Sequence, residues 1–175
     1  MIHYALHTYV PKRYIRRASF EAQDVSRMIL GFKDGRNVYT RWAVRQFAKA
    51  LAGTDLSGIT LVAIPASTHY SNVRRWKRFL QLLAKATGAT SGFDHVAVCG
   101  NRKRAHVTRE YELATNVKHC IRIDADFFRG RKVLVIDDIY TTGLSSQAFI
   151  GAMEAHGAVV QGALFLAKTM SRRAM

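Results

Sequence analysis

Three short, largely apolar runs punctuate the chain: ITLVAI at 59–64, VLVI at 133–136 and VVQGALFLAK at 159–168. Strands read this way when helices cover both faces of a parallel sheet. Between the runs lie segments whose apolar residues recur at helical intervals. Residues 19–30 form one, leading into the glycine-bounded turn GFKDGR at 31–36. Residues 38–51 form the next, with Trp42, Val44, Phe47, Ala48 and Leu51 on the apolar side and a stop at Gly53. Residues 71–87 form another amphipathic helix, with Arg74, Arg75, Lys77 and Arg78 crowded into its first half and Gly88 at its end. HYALHTY at 3–9 alternates as a short edge strand, FDHVAVC within 91–99 is a further strand, and 121–123 is a short strand or hairpin arm. Helices alternating with buried strands predict an α/β fold on a parallel sheet.

The stretch VLVIDDIYTTGLSS at 133–146 carries most of the candidate chemistry. Its apolar run is expected to stop at two adjacent acids, Asp137 and Asp138. Thr141, Thr142, Gly143, Leu144 and Ser145 then open a helix that ends at Gly157. A loop feeding a helix N-terminus presents free backbone N–H groups, hydroxyl donors and the positive end of the helix dipole, so it can hold a phosphate. Two carboxylates on the same strand repel that phosphate but accept hydrogen bonds from vicinal hydroxyls, or sit beside a divalent metal. Together the parts describe a site for a ribose 5-phosphate. Ala66, Ser67 and Thr68, following Pro65 at the end of the 59–64 run, form a second candidate anion loop, since small residues there let backbone amides approach a ligand closely.

Several basic residues are candidates for the same anion. Lys33 and Arg36 sit on the GFKDGR turn. Arg75 belongs to a basic helix start that opposes the local dipole, which favours a reason outside helix stability. Lys168 ends its strand on the side where ligands bind. The polar, aperiodic stretch 100–116 reads as a loop or hood, with Lys103, Arg104, His106 and Arg109 placed to reach inward and exclude water. For each of these taken singly, a solvated charged surface is a comparable explanation.

At 175 residues the chain fits one domain with a substantial core. Its 27 Lys and Arg against 12 Asp and Glu give a formal charge of +15. That excess attracts nucleic acid, single-stranded DNA included, and equally draws a polyanionic small substrate into a cleft. Cys99 and Cys120 lack the spacing of a zinc site or disulfide framework, and His3 with His7 makes no metal pair. No apolar stretch is long enough to span a membrane and the N-terminus lacks a signal-peptide pattern, so a cytoplasmic protein with no membrane partner is expected.

The run of four apolar residues, two acids, two variable residues, Thr-Thr-Gly, one further variable residue and a hydroxyl residue closely resembles the thirteen-residue signature of the type I phosphoribosyltransferases. Over roughly residues 25–168 the chain looks like the ComF family of that group. LGFKDGR at 30–36 resembles the family's Lys-Tyr-x-Gly-x-Arg turn, VAIPAS at 62–67 its pyrophosphate-side strand, and NVKHCIRI at 116–123 its Asn-Val-Arg-x-x-Phe segment. The chain departs from the pattern of many members, which carry an N-terminal four-cysteine zinc ribbon, in having no cysteine before Cys99, so a protein without that ribbon is expected.

The resemblance implies the type I phosphoribosyltransferase fold, a parallel sheet flanked by helices with a small variable hood, here from about 1–20 and 95–125. It implies 5-phosphoribosyl 1-pyrophosphate (PRPP) and Mg²⁺ as ligands. Asp137 and Asp138 would hold the ribose hydroxyls and, indirectly, the PRPP-bound Mg²⁺. Thr141, Thr142, Gly143, Leu144 and Ser145 would bind the 5-phosphate, Ala66, Ser67, Thr68 and Arg75 would face the pyrophosphate, and Lys168 would lie on the base side. A nitrogen acceptor of unknown identity would complete the reaction. Purine-salvage relatives often have an acid where this chain has Thr141, which weakens a purine-salvage role. A homodimer through helices near the pyrophosphate loop, and the DNA-uptake role that the ComF name carries, are further implications.

Overall fold

The computed structural model describes residues 3–99 and 121–170. Lys103, Arg104, His106 and Arg109 therefore lie outside the described residues, as does the end of the basic tail. The main strands are β1 (His3–Tyr9), β2 (Ile59–Ala63), β3 (Thr90–Ser91), β6 (Lys132–Tyr140) and β7 (Val159–Thr169), all parallel to their neighbours in the order β1-β7-β6-β2-β3. Two further strands, β4 (Val96–Val98) and β5 (Ile121–Ile123), pair antiparallel as a separate unit. A parallel sheet flanked by helices is the expected α/β architecture.

Period-two alternation along β6 explains why its apolar run has no polar face. Val133 and Val135 belong to a core shared with Phe149 and Met153 of α6 (Leu144–Ala155) and with Phe128 of the short α5 (Ala125–Phe128). Ile136 belongs to the core on the opposite face. That core contains Ile29 and Phe32 of α1 (Phe20–Lys33), Phe47 of α2 (Asn37–Ala50), and Phe79, Leu80 and Leu83 of α4 (Arg78–Thr87). Phe32, Phe47, Trp76 and Phe79 meet edge-on or tilted with ring centroids 5.0–5.6 Å apart. Each such pair adds about 0.5–1.5 kcal/mol beyond simple burial. Helices thus cover both faces of the central strands.

Four local expectations change. The strand β6 does not stop at the acids but runs through them to Tyr140, because the long β7 continues to pair with it up to Tyr140↔Lys168. The first helix does not stop at Gly31. It continues to Lys33, since the missing side chain of Gly31 leaves room for the Tyr39 ring of α2. The basic helix is interrupted: α3 (His69–Asn72) passes through a π-helical turn, Val73–Lys77, before α4. Finally, the first segment of the expected hood, His3–Tyr9, lies in the main sheet as its edge strand, with His3↔Ala163 through Tyr9↔Thr169 in register with β7.

Candidate functional site

The connections of β6 and β2 diverge. β6 returns through α6 to β7 on one side, whereas β2 leads through α3 and α4 to β3 on the other. Right-handed crossovers in opposite directions place their helices on opposite faces, and ligands in open α/β sheets bind where the strand order reverses. A crevice of about 650 Å³ opens at that point, lined by Asp137–Thr141 and Gly143 on one wall and by Ile64–Ser67 on the other. The last ties between the two strands are the Ala63↔Ile136 pairing and the Ile64 amide, which donates to the Ile136 carbonyl at 2.9 Å. Beyond Ile136 the β2 side of β6 is open, which is why both acids reach the cavity although they stand inside a strand.

Neighbouring residues on a strand face opposite ways, so the two acids have different surroundings. Asp138 is buried on the α1–α4 side. Its Oδ1 accepts from the Ile139 amide at 2.7 Å, and its Oδ2 lies 2.8 Å from Nη1 of Arg75. No N–H points well at that Oδ2, so the contact with Arg75 is charge against charge and the oxygen's hydrogen-bonding capacity is unused. Asp137 is half-buried beside its register partner Phe165 and accepts from the Asp138 amide at 2.8 Å. Loss of solvent and the adjacent Asp138 carboxylate push its pKa up to about 8, against the opposing pull of that amide, Arg75 and Lys33. Asp137 is thereby shifted toward its protonated form.

The loop after β6 leads into the N-terminus of α6 with its backbone donors open. Gly143 takes φ +83°, a left-handed conformation that favours glycine, and a Cβ there would collide with the hydroxyl of Tyr140. Its carbonyl accepts from the Ser146 hydroxyl at 2.8 Å and from the Gln147 amide at 2.9 Å, which fixes the first turn of α6. Among the described residues, none of the amides from Thr141 to Ser146 donates to another group of the chain. Thr141, Gly143, Ser145 and Ser146 line the crevice, whereas Thr142 and Leu144 do not.

The opposite wall departs from expectation. The Ala66 amide donates to Oδ1 of buried Asn72 at 3.0 Å, so Ala66 lines the crevice without a free donor. The Thr68 hydroxyl caps α3, accepting from the Ser71 amide at 3.1 Å, and lies outside the lining. Ser67 alone keeps an amide and a hydroxyl free of such bonds. Basic groups come from the π turn instead. Arg75 donates through Nε to the Lys33 carbonyl at 2.9 Å, and Arg74 holds the Asp34 carbonyl, so both clamp the α1–α2 turn. Lys33 thereby lines the crevice, as the sequence suggested, and Arg36 does not.

Lys168 is exposed, with its Nζ 5.9 Å from the Tyr140 ring, and it does not line the cavity. Sequence reasoning missed Tyr9, Asn72 and Tyr140. Tyr9 closes the crevice from the end of β1, and its phenol is raised above its ordinary pKa by burial and by Asp138. No local signal marks Tyr9 or Asn72, because each arrives through tertiary contacts.

The donor set gives a negative answer for a metal held by the protein itself. Mg²⁺ takes six oxygens, and proteins usually supply one or two carboxylates with substrate phosphates adding more. Here Asp138 already faces a guanidinium and Asp137 is shifted toward its protonated form. No cluster of three or more His, Cys, Asp or Glu forms among the described residues. Direct metal coordination by Asp137 and Asp138 does not fit; a Mg²⁺ here would depend on oxygens of the ligand. No described helix is long and apolar enough to cross a membrane.

No family model and no curated protein matches the chain. Among solved structures it is similar to the adenine phosphoribosyltransferase of Thermoanaerobacter pseudethanolicus, with 23% identity and a TM-score of 0.48 over 76% of this chain and 70% of that one. It is also similar to the adenine phosphoribosyltransferase of Rhodothermus marinus, with 19% identity and a TM-score of 0.45 over 77% of this chain and 69% of that one.

Proposed function

We propose that the crevice binds PRPP and that the protein transfers ribose 5-phosphate from it to a nitrogen acceptor, releasing pyrophosphate. One observation carries the reading: a helix-start loop with unbonded amides and a pair of acids open into the same cavity at the switch point. The 5-phosphate sits at Thr141, Gly143 and Ser145, with Thr142 and Leu144 shaping the loop. The ribose hydroxyls donate to Asp137 and Asp138. Ser67, Arg75 and Lys33 face the pyrophosphate.

In the reaction the C1–O bond to pyrophosphate breaks and a C1–N bond to the acceptor forms. Positive charge grows on the ribose ring and negative charge on the leaving group. The acid pair anchors the ring next to its developing charge, and the guanidinium offsets the charge on the pyrophosphate. A Mg²⁺ bound with the substrate would supply further charge neutralisation beside Arg75 and Lys33. Lys168 lies near the base side, beyond the crevice lining. The ComF-like resemblance belongs to this reading. The alternative, a nucleic-acid-associated scaffold, rests on the +15 charge and on the DNA-uptake role that the ComF resemblance carries.

Calorimetric titration with PRPP tests the proposal. Wild type binds, and Asp137→Asn combined with Asp138→Asn loses at least about tenfold in affinity, the worth of one hydrogen bond to a charged group. Absence of binding by wild type, with and without Mg²⁺, overturns it.

A further inference from the structure

Resting on the PRPP reading, we propose that the Arg75–Asp138 pair is a selectivity device that favours sugar phosphates carrying both a diol and a pyrophosphate over ligands carrying only one of them. The pair is secluded, with the two side chains 13% and 7% exposed. Arg75 is also held from behind. Its Nε donates to the Lys33 carbonyl at 2.9 Å, and the next residue, Trp76, is fully buried in the aromatic core. The guanidinium therefore stays beside Asp138 rather than swinging out to solvent.

A buried ion pair is costly to separate unless each partner receives a replacement, because an uncompensated buried charge is strongly destabilising. PRPP supplies both replacements. Its ribose hydroxyls donate to the carboxylate, where Oδ2 has no aligned donor, and its pyrophosphate accepts from the guanidinium. Ribose 5-phosphate supplies only the first and leaves Arg75 without its counter-charge. Inorganic pyrophosphate supplies only the second and leaves Asp138 bare beside Asp137. Each half-ligand thus binds against the ion pair, whereas the whole ligand exchanges it for two new contacts. The other charged or titratable groups lining the crevice are Tyr9, Lys33, Asp34, Arg74, Asp137 and Tyr140, and among the described residues none of them forms an ion pair with Arg75 or Asp138.

The test is a calorimetric matrix at fixed pH and fixed Mg²⁺: PRPP, ribose 5-phosphate and inorganic pyrophosphate against wild type, Arg75→Gln and Asp138→Asn. Thermal melting confirms that each variant is folded. Arg75→Gln is expected to weaken PRPP by about 10- to 100-fold, the worth of a charge-assisted hydrogen bond or two. The same change leaves ribose 5-phosphate bound as well as by wild type or more tightly. Asp138→Asn frees the guanidinium and tightens inorganic pyrophosphate. The proposal is overturned if Arg75→Gln weakens ribose 5-phosphate in parallel with PRPP, or if Asp138→Asn leaves pyrophosphate affinity unchanged or lower; Arg75 is then a plain anchor and the PRPP reading survives. Should Arg75→Gln not fold, the Asp138→Asn arm decides alone. If wild type binds none of the three ligands, the PRPP reading falls and takes this inference with it.

Discussion

Asp137 and Asp138 are adjacent and chemically identical, yet the strand turns one toward Phe165 and the other toward Arg75. The consequence is a pH dependence of known sign. Asp137 has a folded-state pKa near 8 against an ordinary 3.8, so between those values the native state holds a proton that the unfolded chain has released. Its contribution to stability is intact below the lower value and falls as pH rises through the window. Chemical denaturation of wild type should show stability declining from about pH 4 to pH 8, while Asp137→Asn flattens that slope and is the more stable protein at the alkaline end. A parallel slope in the variant would place the proton elsewhere. The acid pair, and the helix-start loop that follows it, were legible in the sequence. The unequal surroundings of the two acids were not, because those depend on which way each side chain leaves a strand thought to end before them.

The π turn Val73–Lys77 brings Arg74 and Arg75 to the crevice while sending Trp76 into the core. Such turns are often found at functional sites, and no simple residue pattern announces one. The sequence marked a basic helix start but had no means of pointing its side chains. The α1–α2 turn closes against this element: Gly35 has φ +68°, and a Cβ there would lie 2.7 Å from the Arg74 carbonyl oxygen. Gly35→Ala should therefore cost about 1–3 kcal/mol through strain alone and weaken PRPP by loosening Lys33 and Arg75. Urea denaturation and PRPP titration of the same variant check both halves. Asn72→Ala orphans the buried Ala66 amide and should cost about 1–3 kcal/mol, with weaker pyrophosphate binding as the β2 loop relaxes. Unchanged stability would mean that water readily takes the place of the Asn72 oxygen.

The molecule as a whole is two cores on either side of one sheet, and its crevice exists because the connections of β6 and β2 part company. The apolar runs at 59–64, 133–136 and 159–168 identified the central strands, since burial on both faces writes itself directly into composition. Strand order did not appear there: that β1 pairs with β7, and so delivers Tyr9 to the site, is a long-range fact. The same separation of layers gives a prediction. Phe149→Ala empties the core on the α6 side, away from the Arg75 wall, and should cost about 3–5 kcal/mol while PRPP affinity of the folded fraction changes little. A large loss of affinity would show that this core also fixes the α6 loop. The charge of +15 belongs to this scale as well, and it predicts that PRPP association weakens as salt rises.

Amide ¹H–¹⁵N correlation spectra of the intact chain, recorded during titration with PRPP, report on the central claim residue by residue. The largest shifts are expected at Thr141–Ser146, at Ser67 and at Asp137–Asp138, the loop amides moving as they acquire a phosphate to donate to. Shifts confined to exposed basic positions such as Arg13, Arg41 or Lys49, with those amides unmoved, would contradict it.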